Sequence, residues 1–82
     1  MNTRERVENI QTVDDAENQL LLAKKYVTRM RILAKRQTTL SDKLAYEQKA
    51  KAAEKTLRDL RRLIFDIEDA LAVGKPASSV LS

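Results

Sequence analysis

VDDAENQLLLAKKYVTRMRILA, residues 13–34, spaces its apolar side chains in steps of three and four. Val13, Ala16, Leu20, Ala23, Val27, Met30 and Ala34 therefore share one stripe of an α-helix, which turns once every 3.6 residues. A second stretch, YEQKAKAAEKTLRDLRRLIFDIEDAL, residues 46–71, does the same with Tyr46, Ala50, Ala53, Leu57, Leu60, Ile64, Ile67 and Leu71. Two seven-residue repeats predict two long helices packed along a common seam. The expected fold is all-α: an antiparallel two-helix hairpin of coiled-coil type that completes a helical bundle by association.

Gln37-Thr38-Thr39-Leu40-Ser41 separates the stretches. Extending the first stripe by its own rule puts Gln37 and then Ser41 on the apolar face, so the phase is lost there. Thr39, followed three residues later by Asp42, offers a new helix start. The domain reading is a helix over about residues 12–37, a turn at about 38–41 and a helix over about 40–73. A short turn makes the two helices antiparallel neighbours.

The ends of the helices carry their own signals. Thr12 and Asp15 have the spacing of a capping box, and Asp14, Asp15 and Glu17 place negative charge at the positive end of the helix dipole. Gly74 suits the position just past a helix end, and Pro76 blocks resumption. Residues 1–11 hold Val7 and Ile10 out of phase with the seam and read as a weak helix or a frayed arm. Residues 74–82 read as a flexible tail, with Val80 and Leu81 able to dock.

Composition narrows the chemistry. The 82 residues include one Gly, one Pro, no Cys and no His, so disulfides and the usual zinc ligands are absent. Without imidazole or thiol there is no Ser-His or Cys-His nucleophile. Paired carboxylates would need a pocket that a hairpin does not provide. Gly74-Lys75 lacks the upstream glycine and the strand of a phosphate-binding loop. The chain is thus expected to be no enzyme, with no catalytic residue, cofactor, metal site or small-molecule substrate. Its longest apolar run, Leu20-Leu21-Leu22-Ala23, is far too short to span a bilayer. MNTRERVENIQ has no apolar centre and does not read as a secretory signal. These features point to a soluble, cytoplasmic protein, free or built into a larger assembly.

Two surface features suggest what such a hairpin would do. Tyr26, Leu33, Leu63 and Ala70 widen the stripe beyond what two strands need, as in a helix with two neighbours. Leu21, Leu22, Ile32 and Phe65 lie outside the seam altogether. Leu22, Tyr26, Ile32, Leu33, Leu63 and Phe65 are the expected partner face, and the expected function is protein–protein assembly, with a second copy or another protein. Charge gives the alternative. Residues 18–41 hold Lys24, Lys25, Arg29, Arg31, Lys35 and Arg36 and no acid. A basic helix face near the turn could bind phosphate, as in a nucleic-acid-binding accessory protein. A turn centred on Thr39 would set Glu17 opposite Arg62, Asp14 near Arg61, and Lys24 and Lys25 opposite Glu54. Asp66, Glu68 and Asp69 read as solvated or paired with Arg4 and Arg6.

Overall fold

Polar side chains start every helix. The structure, a computed structural model, describes residues 1–81. It contains α1 (Thr3–Glu8), α2 (Val13–Arg36), α3 (Leu40–Ala72) and a terminal 3-10 segment (Ala77–Leu81). Asn2 Oδ1 accepts the Glu5 amide at 2.9 Å. Thr12 Oγ1 accepts the Asp15 amide at 3.1 Å, and Asp15 Oδ2 accepts the Thr12 amide at 3.2 Å. Thr39 Oγ1 accepts the Asp42 amide at 3.2 Å. Each cap satisfies an amide that has no partner within its helix, a contribution of about 1 kcal/mol.

Gly74 ends α3. Its φ of 77° lets the Lys75 amide reach the Ala70 carbonyl at 2.9 Å and the Gly74 amide reach that of Leu71 at 3.1 Å. This pair of bonds is a Schellman motif, which needs a left-handed residue at its centre.

The fold is an all-α hairpin, with α2 and α3 packed against each other along their lengths. At 1.5 Å per residue the 33-residue α3 is about 50 Å long, which matches the longest dimension of the molecule, 50 Å. On the seam, Ala16, Ala23, Val27, Met30, Ala34, Ala50, Ala53, Leu60 and Ile67 are buried. Leu20, Tyr46, Leu57, Ile64 and Leu71 are half-buried. Val13 departs from the expectation and stays 43% exposed. A seven-residue repeat drifts by about 20° per heptad on a straight helix. By the first turn of α2 that drift carries Val13 onto the line of Lys24 and Arg31, away from the seam.

The register also differs from the expected one. Arg31 pairs with Glu54, six residues beyond Gln48, which a turn centred on Thr39 would have set opposite it. The cause lies in the linker. Gln37 and Thr39 are extended, with ψ of 141° and 149°. With both linker ends extended rather than closed into a tight turn, the chain crosses from α2 to α3 with α3 starting beyond the end of α2. Leu40–Ala45 consequently overhang and are all exposed. The pairs expected for Glu17, Asp14, Lys24 and Lys25 do not occur among the described residues, whose ion pairs are Arg31–Glu54, Lys55–Asp59 and Arg62–Asp59.

At the open end the chain's own termini complete the core. Residues 1–11, expected as a weak helix or a frayed arm, contain the packed helix α1, and residues 77–81 of the expected flexible tail form the 3-10 segment, with Val80 and Leu81 docked. Ser82 lies outside the described residues. Val7, Ile10 and Ala77, at 0%, 4% and 1% exposure, join Ala16, Ala23, Leu60 and Ile67 in one cluster. Leu20, Leu57, Leu63, Ile64, Leu71, Val80 and Leu81 pack against it. The reversal at Gly74 and Pro76 returns Val80 and Leu81 to the hairpin, and they contribute burial that α2 and α3 lack between themselves. A polar contact pins α1 as well: Thr3 Oγ1 donates to Asp59 Oδ2 at 3.1 Å.

Candidate functional site

The termini cover one flank of the hairpin and leave the other open. On the covered side, Arg6 of α1 reaches Gln19 and lies beside Leu22 and Tyr26. On the open side, a groove runs between α2 and α3. Near the turn its floor is Ala34 and Ala50, with Arg31, Lys35, Lys43, Lys51, Glu47 and Glu54 along the walls. Towards the open end the floor becomes Val27 and Leu57, walled by Lys24, Thr28, Arg31, Glu54, Arg58 and Arg61. Near the turn Ala34 and Ala50 leave the floor low, because two small side chains cannot fill the space between the helices. Phe65 follows Arg61 by four residues and Arg58 by seven, so it continues the α3 wall. It is 73% exposed.

The groove is electrostatically one-sided. Seven basic residues line it, against Glu47 and Glu54. Arg31 is bonded to Glu54, but with side chains 60% and 33% exposed this pair is worth about 0.5 kcal/mol at most. More broadly, residues 18–51 hold nine basic and two acidic side chains, a net +7. The remaining seven basic and ten acidic residues give −3.

The six basic residues expected to form one phosphate-binding face are divided. Lys24, Arg31 and Lys35 wall the open groove. Lys25 and Arg29 lie on the opposite flank, with Arg6 and Tyr26. Arg36 ends α2 and is exposed. Sequence reasoning missed Lys43, Lys51, Arg58 and Arg61 on α3. The signal was available: these residues recur at seven- and eight-residue steps with one spacing of three, which is one side of a helix.

The expected partner face is divided too. Leu63 packs against the chain's own core, so α1 and the 3-10 segment supply the neighbour its position called for. Leu22 and Tyr26 line the cleft beside Arg6. Leu33 is half-buried, Ile32 is 44% exposed, and Phe65 is exposed on α3, in helical line with Arg58 and Arg61.

Among the described residues, Asp59 has a shifted ionisation. The hydrogen bond from Lys55, at 2.9 Å, holds its carboxyl below the ordinary 3.8, with Thr3 and Arg62 assisting and partial burial opposing. It anchors α1 and is not part of either basic surface. Asp66, Glu68 and Asp69 form no ion pair among the described residues, and Arg6 turns to Gln19 instead. No cluster of acids among the described residues could hold a metal ion, and no described helix is long and apolar enough to cross a membrane. Comparison with protein-family models, with curated proteins and with solved structures gave no match.

Proposed function

We propose that the protein is a non-enzymatic assembly subunit whose open groove receives an acidic amphipathic helix of a partner protein. The observation that carries this reading is the groove itself: an apolar floor of Val27, Ala34, Ala50 and Leu57 between two basic walls. Such a trough suits a third helix, whose apolar stripe would meet the floor while its acidic flanks meet Lys24, Lys35, Lys43, Lys51, Arg58 and Arg61. Phe65 would be the aromatic anchor at one end, aromatic side chains being enriched in the buried centres of interfaces. A second copy is a poorer occupant, because it would set one basic groove against another.

The test is fluorescence anisotropy with a labelled acidic amphipathic peptide and, in parallel, a labelled RNA duplex. The proposal expects saturable peptide binding that Lys43→Glu with Lys51→Glu reduces at least tenfold. It also expects that much of the affinity survives added salt, because the floor contributes burial that salt does not screen. Absence of peptide binding would contradict it.

A second reading has its own support. The basic walls extend along the hairpin, and exposed Phe65 beside Arg58 and Arg61 could stack on an unpaired base. That reading expects duplex or single-strand binding that falls steeply with salt. Peptide binding without nucleic-acid binding would dismiss it.

A further inference from the structure

The opposite flank of the hairpin holds a second, separate concentration of positive charge. Arg6 on α1 and Lys25 and Arg29 on α2 line a cleft of about 340 Å³, together with Tyr26, Leu22 and Met1. Arg6 is only 5% exposed. A buried guanidinium ordinarily has a carboxylate beside it, because removing the charge from water costs several kcal/mol without compensation. Arg6 has none. Its Nη1 donates to the neutral Gln19 Oε1 at 3.1 Å, and its Nε is buried with no hydrogen-bond partner. Lys25 and Arg29 are likewise absent from the ion pairs of the described residues. Three cations thus converge on one cleft without an anion among them, and one of them is buried with a donor unused.

We propose that this cleft binds a dianionic oxyanion, either inorganic phosphate or the phosphate of a small phosphomonoester. Arg6 supplies a fixed, desolvated donor, and guanidinium geometry matches phosphate oxygens. Lys25 and Arg29, one helical turn apart on α2, close the site from the solvent side. A water molecule occupies about 30 Å³ in the liquid, so the cleft has room for the anion and part of an organic substituent. Leu22, Met1 and the Tyr26 ring offer that substituent an apolar wall. Binding would also lock α1 onto α2, because the anion bridges residues of both helices. The site is independent of the open groove and shares no basic residue with it.

Thermal unfolding of the full chain in phosphate, compared with chloride at matched ionic strength, tests the proposal. At ten times its dissociation constant, phosphate should raise the midpoint by about 6–10 °C. Titration calorimetry with inorganic phosphate should give one site per chain. Lys25→Gln with Arg29→Gln, both exposed and remote from the core, should lower phosphate affinity at least tenfold without loss of helicity. Arg6→Gln should abolish binding, and its far-ultraviolet circular dichroism shows whether α1 remains packed. Glucose 6-phosphate distinguishes the two sources: tighter binding than phosphate assigns the apolar wall to a substituent, and equal binding assigns the site to the free anion. Equal midpoints in phosphate and chloride, or phosphate binding unaffected by Lys25→Gln with Arg29→Gln, would overturn the proposal.

Discussion

The two ends of this hairpin are built differently. At the open end, four segments meet: α1, the 3-10 segment and the ends of α2 and α3. Their cluster includes the largest fully buried side chains, Leu60, Ile67 and Val7. At the turn end only α2 and α3 are present, and the buried residues are Val27, Met30, Ala34, Ala50 and Ala53. Buried apolar area scales with side-chain size, so the open end carries most of the hydrophobic stabilisation. The turn end has the excess of positive charge and its groove is uncovered. The difference teaches a division of labour: one end holds the fold together, and the other is thin enough to present a surface.

The largest expected effect lies in the cluster. Ile67→Ala should cost about 3–4 kcal/mol, and denaturant unfolding should show a large drop in midpoint at unchanged helical signal before the transition. Met30→Ala, the corresponding truncation near the turn, should cost about 2 kcal/mol or less, because the turn end buries mostly small side chains and lies outside the main cluster. Equal costs would break the comparison between the ends. Val7→Ser should follow Ile67→Ala in size, at about 2–3 kcal/mol, since it puts a hydroxyl into an apolar cluster and removes two methyl groups. A near-neutral Val7→Ser would mean that α1 does not stay packed in solution.

Smaller effects sharpen the same contrast. Gly74→Ala has open space for its methyl group, so its cost is confined to the backbone, about 1 kcal/mol for a left-handed residue. It should loosen the return of Val80 and Leu81, seen as a midpoint lower by about 4–8 °C. Asp59→Asn should cost about 1 kcal/mol by weakening the hold on Thr3 and Lys55. Because the folded carboxyl titrates below 3.8, its contribution is present above that pH and fades as the pH falls through the folded value. The gap between wild type and Asp59→Asn should therefore close in acid, and a gap that widens would show the carboxylate to be unfavourable.

Much of this architecture can be read along the chain, and the failures have physical causes. The seam residues, the Thr12 cap and the turn at Gly74 are local signals, set by helical periodicity and by the backbone needs of single residues. The packing of residues 3–8 and 77–81 is not local. The sequence marks residues 1–11 only as a weak helix or a frayed arm and Val80 and Leu81 only as able to dock; where they pack is set by contact with each other and with α3. The register depended on whether Gln37-Thr38-Thr39 would fold tightly or extend, and no side chain there decides it. That uncertainty displaced every cross-helix charge pair. The basic face was legible as a concentration of charge but not as two surfaces, because Arg6 reaches α2 only through the tertiary packing of α1.

Native-state hydrogen exchange, resolved by residue, tests the division between the ends most directly. The account predicts that amides of α3 from Leu57 to Ala70 exchange only through global unfolding. Those from Lys43 to Ala50, and of α2 from Met30 to Arg36, should exchange through smaller local openings. Uniform protection along α3, or stronger protection at the turn than in the cluster, would contradict it.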